Sequence, residues 1–396
     1  MSVEQVVRCA IIKQWKQLDY RELEDRIEDS ERLRSFCRFG DQKVPGFRTL
    51  QENIKRISAA SWQEILQILV EYAKTQGVDN GKHVRMDCTG VETDIHKPTD
   101  STLMEDVARV LLRIQNVAVK NLGEHAGYCP NRMRAIRKRA LRILHAQNFE
   151  NRKPHYKELI KLTEEVVANS RALYERLMLF ESDCYEELQL LNTLKKELRI
   201  HIDNGEKIID VTKRRVLQNE KVPADEKLVS IFEPHTDIIR KSRRTTVFGH
   251  KICISAGRSG LVFDCDIAQG NPPDVDLFLP ALDRVTDVLG AVPTHLCADD
   301  GFSCEKNGDA AKGRGVRQLA FGGKLKSELL RWVTNARVQK KLRCFRAGIE
   351  AIISAVKRAF GLDRCTWSGW EGFKQYVLSA IVAWNLQVIA RHVLKT

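Results

Sequence analysis

The stretch 292-VPTHLCADDGF-302 runs largely apolar and then stops abruptly at Asp299, Asp300 and Gly301. Its short apolar run reads as a buried central strand carrying an acid at its carboxyl end, which is where α/β sheets place their ligands. Upstream, 245-TTVFGHKICISAGRSGLVFDCDIAQG-270 alternates as two strands around the turn AGRSG, and 274-DVDLFLPALDRVTDVLG-290 has helical spacing. Downstream, NGDAAKGRG (307–315) reads as a short helix and VRQLAF (316–321) as another strand, while Lys324 to Thr396 is helical with glycine breaks. The class is α/β, a mixed sheet flanked by helices.

Further toward the N-terminus, 81-GKHVRMDCTGVETD-94 alternates with Val84, Met86 and Cys88 on one side and Arg85, Asp87 and Thr89 on the other, so Asp87 is expected on the polar face of a strand. Residues 1–75 show apolar spacing of three and four, interrupted by DQKVPGF (41–47). Short helices joined through a Pro-Gly turn suit either a helix-turn-helix unit or an ordinary helical bundle. Residues 102–228 return to long, charged helical periodicity and include NRMRAIRKRALR (131–142), with six basic residues and no acid. The expected organisation is an all-α N-terminal domain (1–78), a first strand region (79–101), a helical insertion (102–228) and the rest of the α/β core with C-terminal helices (229–396).

The 396 residues are 43% hydrophobic, enough for a sizeable core. Lys and Arg outnumber Asp and Glu by 65 to 52, a net charge of +13, and the clustering of the excess points to a polyanion. The eleven cysteines form no CxxC pair, and MSVEQVVRCA lacks the pattern of a signal peptide, so a reducing cytosol is the expected compartment. No apolar run is long enough to span a membrane. The glycines of GHKICISAGRSG do not form a phosphate-binding loop, and neither His83 nor His96 falls in zinc-ligand spacing. Trp367, Trp370, Tyr376 and Trp384 read most simply as packing residues.

Between Lys324 and Arg364 stand eleven basic residues but only three acids, Glu328, Glu350 and Asp363. The helix through Glu350 has its apolar stripe at Leu342, Phe345, Ile349, Ile352, Val356 and Phe360. Glu350 lies off that stripe beside Arg346 and Lys357. A surface ion pair with Arg346 would account for it. So would a site in which Asp87, Asp299 and Glu350 hold two hard divalent cations, Mg²⁺ or Mn²⁺, for in-line displacement at phosphorus.

Three segments make the sequence similar to the DDE transposases of bacterial insertion sequences, in particular the ISNCY type and its relatives: VRMDCTGVETDIHKPTDSTL around Asp87, CADDGF around Asp299 and FRAGIEAIISAVKRAFGLDRCTW around Glu350. Relatives carry Tyr-x2-Arg-x3-Glu-x6-Lys; Arg346, Glu350 and Lys357 keep that spacing, while Arg343 stands at the tyrosine position and Phe345 is the nearest aromatic. LDYRELEDRIEDSERLRSFCRFG and VPGFRTLQENIKRIS (18–40 and 44–58) resemble the N-terminal domain of these proteins. The resemblance implies an RNase H-like catalytic core with Asp87, Asp299 and Glu350 as catalytic metal ligands. The Asp-x-Gly-Phe spacing favours Asp299 over Asp300. It further implies binding of terminal inverted repeats, cleavage that frees a 3′ hydroxyl, and strand transfer of that hydroxyl into target DNA. Arg346, Lys357, Arg343 and Arg358 are expected on the DNA backbone, and residues 1–75 on the repeats. Double-stranded DNA, a homodimer or higher multimer, and a nucleoid-associated cytoplasmic location complete the expectation. A domesticated or inactive DNA-binding copy, or a nuclease on the same fold, is the alternative.

Overall fold

The computed structural model describes residues 1–128, 130–240, 245–322 and 331–394. Lys324 and Glu328 therefore lie outside the described residues. The chain divides into two compact units, Met1–Asp94 with Ile239–Thr396, and Ile95–Ile238.

The first unit opens with five helices, α1 (Val3–Lys16), α2 (Tyr20–Asp29), α3 (Glu31–Phe36), α4 (Phe47–Lys55) and α5 (Ala59–Thr75). Local chemistry sets their starts: Ser2 with Gln5, and Asp19 with Glu22, form reciprocal caps that satisfy the first free N–H groups of α1 and α2. The long strand β1 (His83–Thr93) follows. The insertion contributes α6 (Asp100–Leu122), α7 (Met133–His145), α8 (Phe149–Leu179) and α9 (Tyr185–Thr212), ending in a π turn at Lys213–Leu217. Beyond it come β2 (Asp237–Arg240), β3 (Thr246–Ala256), β4 (Val262–Ile267), α10 (Asp274–Leu289), β5 (His295–Ala298), α11 (Glu305–Gly313), β6 (Gln318–Phe321), α12 (Ala336–Ala359), β7 (Arg364–Cys365) and α13 (Gly369–Val393). The sequence reading foresaw neither β2 nor β7, which are four and two residues long and too short to show alternation.

The sheet is mixed, in the order β2-β3-β1-β5-β6, with β4 also paired to β3 and β7 to β1. β1 runs antiparallel to β3 and parallel to β5, with Met86 opposite Ala298. The next residues of these two strands are Asp87 and Asp299, so the register sets them side by side. One face, with Val84, Met86, Leu296, Ala298 and Leu319, is buried in the main core with α10. The opposite face carries Arg85, Asp87, Cys297 and Ala320, and α12 packs across it through Leu342 and Phe345. The polar face of β1 is therefore not a solvated one: Arg85 and Thr89 are each only 8% exposed. The tryptophans and tyrosine of the C-terminus are packing residues, with Trp384 donating to the Gly260 carbonyl and Tyr376 to that of Gly361.

The N-terminal helices, expected as a domain of their own, share this core. Leu23, Ile54, Trp62 and Leu66 are fully buried in the same cluster as the sheet and α13. Gln14 of α1 donates to the Phe360 carbonyl at 2.6 Å, which ties α1 to the end of α12. The second unit is helical with its own core, in which Leu111, Leu159, Leu173 and Leu198 are fully buried. Among the described residues no helix is long and apolar enough to cross a membrane.

Arg85 sets how α12 lies on the sheet. Its guanidinium donates to the Phe345 carbonyl at 3.1 Å and stands 4.7 Å from the Phe345 ring. Gly348, one turn on, makes room for it, since a Cβ there would come within 2.0 Å of the Arg85 guanidinium. Gly348→Ala is expected to cost about 1–3 kcal/mol by overpacking and loss of the Arg85 bond. In urea unfolding the loss should be non-additive with Arg85→Ala, and full additivity would show that the two do not meet.

Candidate active site

Three elements bring the acids together. β1 carries Asp87, whose carboxylate accepts from the Cys88 N–H at 2.8 Å. β5 ends at Ala298, and Asp299 follows in extended conformation before the tight turn Asp300–Phe302. Gly322, just past β6, leaves space for this turn: a Cβ there would lie 3.0 Å from both the Asp299 carboxylate and the Asp300 nitrogen. α12 contributes Arg346 and Glu350 one turn apart.

The guanidinium of Arg346 sits among all three carboxylates. It donates to Asp299 at 2.6 Å and to Glu350 at 2.7 Å, and it stands 3.8 Å from Asp87. The i,i+4 pair with Glu350 is thus present, but as one arm of a four-membered cluster. Asp299, not Asp300, faces Arg346. The side chains are graded in exposure, with Asp87 at 15%, Asp299 at 40% and Glu350 at 65%. Next to them lies a cleft of about 590 Å³ whose lining includes Asp87, Glu350, Lys357, Arg358 and Asp363.

Burial, with repulsion from Asp299, pushes the Asp87 carboxyl up to about 6 against the pull of Arg346. Burial alone would lower the Arg346 pKa, but the three surrounding acids hold it above its ordinary value. One cation faces three carboxylates, so the cluster carries surplus negative charge.

The other expected DNA contacts are placed differently. Lys357 donates to the Gly90 carbonyl at 2.7 Å and pairs with Asp363 at 3.2 Å, so it pins α12 to β1. Arg358 is exposed and donates to the Ser354 carbonyl of its own helix at 3.3 Å. Arg343 is half-buried, with no side-chain partner among the described residues. The residues that sequence reasoning missed are Arg85, Gly348 and Gly322, which position the acids. His96 pairs with Asp106 at 2.6 Å in the second unit.

Among the described residues no group of three His, Cys, Asp or Glu side chains is close enough to hold a metal ion as placed. The reason is visible in the cluster: Asp299 and Glu350 are turned onto the guanidinium. The donor set nonetheless fits a hard divalent cation, being all carboxylate oxygen with charge left uncompensated.

Residues 208–386 match the family model of the Transposase DDE domain, and residues 1–56 match that of a Transposase domain (DUF772). Comparison with curated proteins and with solved structures gives no match. The chain belongs to the DDE transposases of insertion sequences, enzymes that act on DNA and in general use divalent metal ions. Asp299 and Glu350 fall inside the first match, whereas Asp87 lies between the two and joins the cluster by geometry.

Because the folded pKa of Asp87 lies above that of an unfolded aspartate, its ionised form subtracts stability at neutral pH, on the order of 2–3 kcal/mol. In chelator at neutral pH, Asp87→Asn is expected to melt no lower than the parent protein, and any gain should fade as pH falls through about 6 toward the ordinary aspartate value. Arg346→Ala should do the opposite, losing roughly 1–3 kcal/mol, mainly because the largely buried Asp87 is left beside Asp299 without a cation, while the more exposed Asp299 and Glu350 are screened by water. Adding Mn²⁺ should then raise its melting temperature more than that of the parent, and an equal response in the two proteins would mean that Arg346 and the ion do not share the site.

Proposed function

We propose that the protein cuts DNA at the ends of its own element and joins the freed 3′ hydroxyl to a target, using Asp87, Asp299 and Glu350. What carries this reading is the meeting of three carboxylates from β1, β5 and α12 on one guanidinium. A central β1 that is antiparallel to β3 and parallel to β5 supports an RNase H-like core.

Asp87, Asp299 and Glu350 would hold two ions, Mg²⁺ or Mn²⁺. When bound, such ions activate the attacking oxygen and stabilise the leaving one. The protein's part is positioning and electrostatics. Asp87, backed by the sheet and by the Cys88 N–H, fixes the inner end of the cluster. Arg346 offsets part of the acids' charge in the free protein and would turn toward a DNA phosphate once they are otherwise satisfied. Arg358 lines the cleft and would meet the DNA backbone beside the scissile bond, with Arg343 further along α12, while Lys357, also in the lining, holds α12 on β1. Exposed cations of the N-terminal helices, Arg32, Arg48 and Arg56 among them, are assigned to the terminal repeats, and a homodimer or higher multimer would pair two ends.

The test uses a supercoiled plasmid carrying the gene's flanking DNA, with Mg²⁺ or Mn²⁺. Wild type should cut at both element ends. Asp87→Asn, Asp299→Asn and Glu350→Gln should each lose roughly 100-fold or more of that cleavage while still binding the DNA. A variant that cuts normally removes its residue from the site, and a wild type that binds without cutting sinks the catalytic reading.

A further inference from the structure

The helical insertion holds a second cavity, about 350 Å³, formed by the first turns of α6 and α8, the π turn and the segment after it. Four cations line it, Arg152, Arg215, Lys221 and Lys227, against two acids, Asp100 and Glu220. The acids do not balance the cations. Asp100 is taken by Arg215 at 2.7 Å. Glu220 is held by Arg214, which donates to it through two bonds of 2.6 and 2.9 Å.

That leaves Arg152 and Lys221 without a counter-charge of their own, while Lys227 shares Asp100 with Arg215. Arg152 donates to the Ala146 carbonyl, a neutral partner. Lys221 has no side-chain partner among the described residues. Lys227 is only partly exposed, and burial together with repulsion from Arg215 lowers its pKa against the pull of Asp100. Concentrating like charge around a cavity costs stability unless an anion enters. The walls add flat apolar surface, with Phe149 42% exposed and Tyr156 buried. The volume matches a pocket for a small ligand rather than a groove for a duplex. A π turn lines the same cavity, a local strain that recurs at functional sites.

We propose that this cavity is a phosphate site that receives one nucleotide of a DNA strand, its phosphate among Arg152, Lys221 and Lys227 and its sugar or base against Phe149. The helical insertion then contacts DNA at a place of its own, chemically distinct from the carboxylate cluster. The ligand's identity as DNA, rather than a free phosphate compound, rests on the transposase reading.

The test measures binding of full-length protein to a labelled element-end DNA across a salt series, for wild type and for Lys221→Gln with Lys227→Gln. Lys161→Gln with Lys196→Gln, exposed positions on α8 and α9 outside the cavity, removes the same charge as a control. The cavity variant should reduce the slope of log affinity against log salt by about one, the release expected for one phosphate, and the control should not. Pyrophosphate should protect wild type against thermal unfolding but not the cavity variant, and element-end DNA should abolish that protection.

Equal slopes for the two double variants, or an unchanged slope in both, overturn the proposal. Pyrophosphate protection that DNA fails to displace assigns the cavity to a small phosphate compound and overturns the DNA contact. Cleavage is scored on the same preparations. A wild type that fails to cut counts against the proposed function and leaves the slope comparison standing, whereas normal cutting with an unchanged slope counts against the cavity alone.

Discussion

A carboxylate set into the middle of a central strand needs a cation, and in this protein the cation comes from the helix that covers the strand. Arg346 reaches Asp299 and Glu350 directly and stands close to Asp87. The rest of the first unit can be understood from that need. α12 has to cross β1 and β5 at a fixed height, which Arg85 sets through the Phe345 carbonyl and Lys357 through that of Gly90. Gly348 exists to let Arg85 through. The arrangement trades stability for charge density: one guanidinium does not neutralise three acids, and negative charge remains among them.

Much of this was legible in sequence because periodicity and spacing report on local geometry. An apolar run ending in Asp-Asp-Gly-Phe located the end of a parallel strand, and the three-four stripe of α12 named its buried residues, Ile349, Ile352 and Val356 among them. Alternation in β1 correctly put Arg85 and Asp87 on one face, but it cannot tell whether water or a helix covers that face. The positioning residues were illegible for the same reason. Arg85 reads as a solvent-facing arginine until Phe345, far away in sequence, is placed over it. Lys357 kept its family spacing, yet its ammonium is spent on the backbone of β1, a contact that spacing does not encode.

The N-terminal helices show how a correct local reading can still leave the tertiary role open. The helices form where their spacing predicts. Their apolar faces, however, are buried against α13 and the sheet rather than against one another alone, so Trp62 and Leu66 belong to the core of the first unit. Removing them would strip that core. Any role they have on DNA must therefore be read from exposed side chains, by substitution and not by truncation.

The insertion after β1 has a consequence for how the chain reaches this state. The antiparallel partner of β1 is β3, so Asp87 pairs with Ile254 only after the whole helical segment has been made. During synthesis β1 has neither neighbour, and a long unpaired strand of this kind is prone to associate with other chains. A segment that folds by itself, on local contacts and around its own leucine core, converts that long tether into a short one. Assembly of the carboxylate cluster therefore has to wait for the insertion to close, and a lesion in the insertion core is expected to appear first as aggregation of newly made chains.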